Sequence, residues 1–278
     1  MLYPFWKVFF RKAGHAQLLM LLLVGISQVT VAQVNIAGKP GLLYIPSARL
    51  LDDGTFWVGC NYNPVDYAFR FNKKNSESIY FVNLSLLPRL EINLSLLRPN
   101  GPVRFQDRGI GDRQLDLKYG FLTERPNRPA VALILSAPFG IDNSLETYAL
   151  VATKTLRLTP GISAEVTGGI GSPYYVYRDE KNDQNSGIFS KFTLRDKREK
   201  PYRYLSGPFG GFVLRYKTNG LLVEWDSQHL NVGAYTTLFK HWTVQGGLLN
   251  GSQVTLGTSY AFSLLRRPKQ IVKPYEAN

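Results

Sequence analysis

Apolar and polar side chains alternate along many stretches of this chain, and the alternation limits the folds open to it. The clearest stretch is residues 254–264, where large apolar side chains take most even positions and small side chains take the odd ones. Residues 89–98, 113–121 and 162–170 repeat the pattern. Because successive residues of a β-strand point to opposite faces, the pattern predicts strands with one apolar face.

The first 32 residues have the layout of a secretory signal peptide. Lys7, Arg11 and Lys12 precede an apolar stretch at 18–26, and small side chains at 30–32 offer a cleavage site. Removal of these 32 residues and their three positive charges from a 278-residue chain of net charge +13 leaves 246 residues and +10. An uncleaved membrane anchor is the alternative, because residues 5–10 add apolar character upstream.

Beyond residue 33 no apolar run approaches the roughly 20 residues that a membrane helix needs. A secreted chain that spans a membrane without such helices must form a closed barrel, because open sheet edges cannot face lipid. Turn signals at Asn219–Gly220 and Asn250–Gly251, and a repeat at 83–87 and 93–97 folded near Pro88, divide the chain into about twelve strands. We therefore predict an all-β fold: one antiparallel outer-membrane β-barrel over residues 33–264.

A soluble secreted sandwich or a lipocalin-like barrel is the alternative fold, since its strands also alternate. The membrane is favoured by the Gly, Ser, Thr and Asn of the polar faces and by aromatic residues near strand ends. Aromatic residues make up 13% of the chain and charged residues only 19%. The expected surroundings are outer-membrane lipid and lipopolysaccharide.

Charged residues on the polar faces are the candidate functional residues. Glu224 and Asp226 share one face, and Arg215 is expected opposite them across the Asn219–Gly220 hairpin. Interior charges of barrels usually pair, so we predict a salt-bridge network in the lumen, with Arg113 as a further cationic partner. Acid/base catalysis on a glycan is the alternative role. The predicted network and possible glycan contacts are Asp112, Asp116, Lys118, Arg215, Glu224 and Asp226.

A long charged loop at 172–208 and a basic tail at 265–278 interrupt the strand pattern. The loop is expected to be solvated, and its cations are candidates for contact with an anionic glycan or lipopolysaccharide. The tail is expected to be disordered and periplasmic. The cations of the loop are Lys191, Arg195, Lys197, Arg198, Lys200 and Arg203.

Few residues could carry metal or covalent chemistry. Cys60 is the single cysteine, and His229 and His241 are the only imidazoles after residue 32. Neither histidine has the spacing of a metal site. No catalytic residue, cofactor, metal site or nucleic-acid partner is therefore predicted.

The residues also resemble a known family. The opening at 41–49, followed by Asp53–Gly54, looks like the start of YjbH-type exopolysaccharide-production outer-membrane proteins. The resemblance covers most of residues 41–264 and implies an outer-membrane barrel linked to extracellular or capsular polysaccharide. Many family members are longer, so this chain resembles a single barrel unit. The motifs that continue the resemblance, in the family's order, are 87–91, 107–108, 112–118, 124, 129–133, 148–154, 209–211, 222–226 and 231–233.

The sequence thus favours a non-enzymatic outer-membrane barrel that supports exopolysaccharide or capsule production or export, with polysaccharide and export-machinery proteins as candidate partners. A small-solute pore or structural barrel is one alternative, and an outer-membrane enzyme acting on lipopolysaccharide or polysaccharide is another. The lumen discriminates between them. An open polar lumen favours a pore, a plugged lumen with a glycan groove favours the polysaccharide role, and a catalytic cleft on the lipid face favours an enzyme.

Overall fold

The computed structural model describes residues 33–69, 75–101, 111–138, 143–178, 192–200 and 202–264. The predicted signal peptide, the basic tail and Lys191 lie outside these ranges. Strands dominate the described residues, which contain 3-10 turns at Val65–Tyr67 and Lys197–Glu199. No helix among them is long and apolar enough to cross a membrane.

Twelve strands form a closed antiparallel barrel, which confirms the predicted architecture. Each barrel strand pairs with the next along the chain, the strand before the 172–206 segment pairs with the strand after it, and the last strand closes the barrel onto the first. The two strands within the 172–208 loop form a separate two-stranded sheet. The strands are β1 (Thr55–Asn63), β2 (Glu77–Leu87), β3 (Leu90–Pro99), β4 (Asp112–Leu122), β5 (Ala130–Ala137), β6 (Tyr148–Thr159), β7 (Ile162–Gly171), β8 (Tyr174–Arg178), β9 (Phe192–Asp196), β10 (Gly207–Tyr216), β11 (Asn219–Trp225), β12 (Leu230–Leu238), β13 (Trp242–Leu249) and β14 (Gln253–Ser263).

The alternation in the sequence becomes an outward apolar face and an inward polar face. On β14, Leu256 is 57% exposed on the outside, whereas Ser259 is 2% exposed on the inside. Pairing of Val58 with Tyr260 across the β1–β14 seam keeps large apolar side chains together on the outside. The barrel therefore has a continuous apolar exterior, as expected for strands surrounded by lipid.

The two ends of the barrel differ in their connections. Short turns at 88–89, 160–161, 217–218 and 239–241 mark one end, where β1 begins and β14 ends. The other end carries the four longest connections, at 64–76, 100–111, 138–147 and 172–206, beside short turns at 226–229 and 250–252. The longest connection at the first end is 123–129. We call the two ends the short-turn end and the long-loop end.

One predicted turn is displaced. The β10–β11 turn lies at Lys217–Thr218, so Asn219 and Gly220 already belong to β11. Gly220 is required in the strand because a Cβ there would lie 2.2 Å from the Tyr235 ring. The predicted turns at Asn250–Gly251 and near Pro88 do connect paired strands.

Candidate functional site: a plugged lumen

The segment that precedes β1 fills the lumen and does not contribute a strand to the barrel wall. Residues 33–48 are all buried, and two isolated β-bridges fold the segment back on itself. The amide of Asn35 stabilises this fold, because its Oδ1 accepts from the N–H of Lys39 at 2.9 Å and its Nδ2 donates to the carbonyl of Tyr44 at 3.0 Å. We call residues 33–51 the plug.

Charged side chains of β3 and β4 bind one side of the plug. Asp116 forms an ion pair with Lys39, and the two side chains are 0% and 1% exposed. Lys118 pairs with Glu91 at 3.4 Å and donates to the carbonyl oxygen of Arg49. Asp116 and Lys118 therefore face the lumen as predicted, but their contacts include the plug, whose presence the pattern of strands did not indicate.

Glu224 of β11 binds the tip of the plug. Its Oε2 accepts from the N–H groups of Leu43 at 3.0 Å and Ile45 at 3.3 Å, and its Oε1 accepts from the N–H of Tyr44 at 2.8 Å. Asn231 also donates to Oε1 at 3.0 Å. One buried carboxylate thus satisfies three successive backbone donors that would otherwise be unpaired in the lumen.

Arg215 does not meet Glu224, and the predicted pairing is wrong. The displaced turn places Arg215 opposite Gly220 and Glu224 opposite Gly211. A turn at Asn219–Gly220 would have placed Arg215 opposite Glu224, so a shift of the turn by two residues separates them. Arg215 instead pairs with Glu165 of β7 at 3.2 Å.

Another part of the wall makes room for the plug because its inward residues are glycines, which have no side chain. The side chain of Leu43 lies where Cβ atoms would project from Gly233 and Gly247, at 3.0 Å and 2.4 Å from its Cδ1. Leu42 likewise approaches Gly211, whose added Cβ would lie 2.8 Å from its Cδ2. The inward glycines of β10, β12 and β13 therefore make room for the apolar tip of the plug.

Residues 202–205 close the lumen at the long-loop end. The hydroxyl of Tyr204 donates to the carbonyl of Tyr44 at 3.2 Å, and the hydroxyl of Tyr202 donates to Asp226. Phe69 packs against both tyrosines, with ring centroids 5.4 Å apart in each pair. This part of the predicted solvated loop is thus buried against the plug and the mouth of the barrel.

Lys197 is buried as well, so the prediction that it contacts an external anion is wrong. Its Nζ donates to the carbonyl of Tyr204 at 2.9 Å. This hydrogen bond joins the turn at Lys197 to the buried Tyr204 of the same segment. Burial lowers the pKa of Lys197 to about 8, although the nearby Glu146 carboxylate opposes the shift. The pKa of Glu146 is itself raised by burial.

The other described cations of the segment lie nearer the surface. Arg195 stacks on the Tyr177 ring at 3.6 Å, and the ammonium of Lys200 lies 4.4 Å from the centroid of Tyr175. Arg198 is largely exposed and lies 3.7 Å from a carboxylate oxygen of its neighbour Asp196. Arg203 is exposed. These four residues remain candidates for contact with an anion.

Asp112 and Arg113 point in opposite directions. Asp112 is buried on the inside, where its carboxylate accepts from the N–H of Ser144 at 3.0 Å. Arg113 shares the outward face with Leu115, because adjacent residues of a strand alternate. The prediction of Arg113 as a cationic partner in the lumen is therefore wrong.

The buried carboxylates are already occupied by protein donors. Besides Tyr202, Asp226 accepts from the N–H groups of Gln228 at 2.9 Å and His229 at 2.7 Å. Glu224 is occupied by the plug, so neither acid presents an open face to a glycan. Within the part of the chain that the structure describes, no group of three His, Cys, Asp or Glu residues could hold a metal ion.

Sequence reasoning missed four of the residues that hold the plug. Glu91 accepts from the N–H of Leu51, and Arg49 pairs with Glu165. Glu91 and Glu165 lie on the polar faces of alternating strands, which was the available signal. Lys39 and Arg49 lie in a segment without alternation, so no strand pattern could place them opposite a wall residue.

Comparison with known proteins identifies the family of the chain. No curated protein matches the chain. A crystal structure of an outer membrane channel from Pseudomonas putida F1 is 16% identical, covers 77% of this chain and 97% of that chain, and superimposes with a TM-score of 0.41. A family model described as exopolysaccharide biosynthesis protein YbjH matches residues 33–277. The chain therefore belongs to the YjbH exopolysaccharide biosynthesis family, as its motifs indicated.

Proposed function

We propose that this protein is a non-enzymatic outer-membrane barrel that supports the production or export of exopolysaccharide, and that its resting lumen is closed. Family membership supports the link to exopolysaccharide. The apolar exterior of the closed barrel supports a place in the outer membrane. The single observation that carries the closed state is the plug, which fills the lumen between the charged and the glycine-bearing walls.

The plug argues against a permanently open small-solute pore. Its backbone and side chains take up the inward charges at Asp116, Glu224 and Glu165 that would otherwise line a wet channel. The long-loop end is further covered by Tyr202 and Tyr204. Because outer-membrane barrels carry short periplasmic turns and longer external loops, this cover faces the cell exterior and the plug is connected to β1 from the periplasmic side.

The closed state is tested by conductance in planar lipid bilayers with the purified full-length protein. We expect the protein to insert and show almost no steady current, and Glu224→Ala to show intermittent openings because the tip of the plug loses its acceptor. Val223→Ala, at the outward position beside it, is the matched control and should stay closed. A steady open-pore current from the unchanged protein would favour the small-solute pore instead.

The role in polysaccharide production is tested in the producing cell. Deletion of the gene should lower secreted polysaccharide, and the unchanged gene supplied in trans should restore it. Secretion that is equal with and without the gene would contradict the proposal. Incubation of the purified protein with the cell's own polymer should leave its chain length unchanged, and shortening of the polymer would establish the enzyme alternative.

A further inference from the structure

The outward face of the barrel carries almost no charge. Among the outward positions of the twelve barrel strands that the structure describes, only Arg98, Arg113 and Lys154 are charged. Lys154 lies towards the short-turn end, where it pairs with Glu124 at 3.6 Å and donates to the carbonyl of Pro126 at 2.9 Å. The charge of Lys154 therefore has an acidic partner and a hydrogen-bond acceptor within the protein.

The two arginines lie together at the long-loop end. Arg98 is the second-last residue of β3 and Arg113 is the second residue of β4. Arg113 is paired with Leu96, so Arg98 is its diagonal neighbour, and such neighbours lie about 7–8 Å apart. Two long guanidinium side chains at that separation can reach one phosphate group, which each can bind through two parallel hydrogen bonds.

Neither guanidinium has an acidic partner among the described residues, although both strands carry acids. Glu91, Asp112 and Asp116 of β3 and β4 face the lumen. A charge on the lipid face costs about 2–4 kcal/mol at the midplane and about 0–1 kcal/mol near the interface. The position of both arginines near strand ends is therefore compatible with insertion, and their positive charge is free to meet an anion at headgroup level.

An apolar groove adjoins Arg113. It has a volume of about 690 Å³, and outward residues of β2, β3 and β4 line most of it. Arg113 itself lines the groove, so the cationic group and the apolar surface are continuous. The large apolar residues that line it on the outward face are Tyr80, Val82, Leu94, Leu96 and Leu115.

We propose that this surface binds a phosphorylated glycolipid of the outer leaflet, with a phosphate between Arg98 and Arg113 and an acyl chain in the groove. The inference rests on the outer-membrane location and the orientation proposed above. Charge complementarity identifies the occupant. The two cations, which have no acidic partner among the described residues, lie at the end that faces the outer leaflet, and Arg113 borders a groove whose apolar lining suits an acyl chain. The site lies outside the lumen and is independent of any role of the plug.

The test uses the full-length protein in phosphatidylethanolamine nanodiscs containing lipid A, with the retained lipid measured by native mass spectrometry. The unchanged protein should retain lipid A, and Arg98→Gln/Arg113→Gln should weaken retention at least about tenfold, because charge-assisted hydrogen bonds are lost. Lys154→Gln is the matched control on the same outward face and should retain lipid A fully. Leu94→Trp, which narrows the groove without changing a charge, should also reduce retention.

The lipid itself supplies the second comparison. Dephosphorylated lipid A should be retained as weakly by the unchanged protein as lipid A is by the double variant. Equal retention of lipid A by the double variant and the unchanged protein, or equal retention of both lipids, would overturn the proposal. Failure of the protein to enter nanodiscs would instead contradict the membrane location, so the two failures are distinguishable.

Discussion

The plug meets two walls of different chemistry. On β4 and β7, the buried acids Asp116 and Glu165 pair with plug cations. On β12 and β13, Gly233 and Gly247 leave space for Leu43. A charge without its partner in a buried site is costly, whereas apolar packing can relax, so the charged wall should determine the position of the plug more strongly than the glycine wall.

Breaking the charged wall should have the largest effect. Lys39→Met leaves Asp116 buried without its cation and should destabilise the protein by about 3–5 kcal/mol. The measurement is thermal unfolding of the purified protein in detergent. Lys39→Met/Asp116→Leu should recover much of the loss, because the uncompensated charge is gone. Leu117→Ala, on the exposed outward face of the same strand, is the control, and a melting temperature of Lys39→Met equal to that of the control would contradict the comparison.

Glu224 of β11 lies between the glycine-bearing strands β10 and β12 and tests the tip of the plug. Glu224→Gln is nearly isosteric but replaces one acceptor oxygen by an NH₂ group facing backbone donors. We expect a loss of about 2–3 kcal/mol, in keeping with hydrogen bonds to a charged group. The same variant separates structure from catalysis. Unchanged melting together with lost polysaccharide turnover would identify Glu224 as catalytic, whereas lowered melting without turnover in either protein fits the plugged barrel.

Filling the glycine wall should have a smaller effect. Gly247→Ala places a Cβ 2.4 Å from Leu43 and 2.8 Å from the carbonyl of Val232, so the plug must shift. We expect a loss of about 1–2 kcal/mol, measured by thermal unfolding. Gly246→Ala is the neighbouring control, because its Cβ would be 3.1 Å or more from any neighbour. Leu43→Ala should partly suppress Gly247→Ala, and the absence of suppression would show that the strain lies in the wall alone.

The smallest effect concerns the cover at the long-loop end and its dependence on pH. Folding lowers the pKa of Lys197 from 10.5 to about 8, so between these values the unfolded segment binds the extra proton and folding becomes more favourable as the pH rises. We expect opening of the segment to cost about 1 kcal/mol more for each pH unit above 8, measured by hydrogen exchange across residues 192–206 after correction for the intrinsic rate. Lys197→Met should remove this dependence, and Arg198→Gln, which alters an exposed cation, should keep it. A dependence that persists in Lys197→Met would assign it to another group.

Strand positions were predictable from sequence because a barrel with an apolar exterior and a polar interior requires apolar and polar side chains to alternate along every strand of its wall. Predicted and observed strands agree closely, as at 89–98, 162–170 and 254–264. Inward residues such as Asp116 and Glu224 followed from the same parity. The separation of Arg215 from Glu224 did not follow, because the tight-turn signal at Asn219–Gly220 competes with the packing of Tyr235 over Gly220, and a two-residue displacement changes every pair between β10 and β11.

The sequence by itself determined the strand pattern, the closed antiparallel barrel, the family and the inward position of acids such as Asp116 and Glu224, since all of these follow from local periodicity or ordered motifs. Only the tertiary structure decided that residues 33–51 fill the lumen, that Glu224 binds the backbone of the plug, and that Lys197 is buried. These contacts join residues far apart in the chain, and a segment without regular alternation can satisfy its backbone and charges in many places. Closure of the barrel around the plug leaves it one place, where the buried acids meet its cations and the glycines leave room for its leucines.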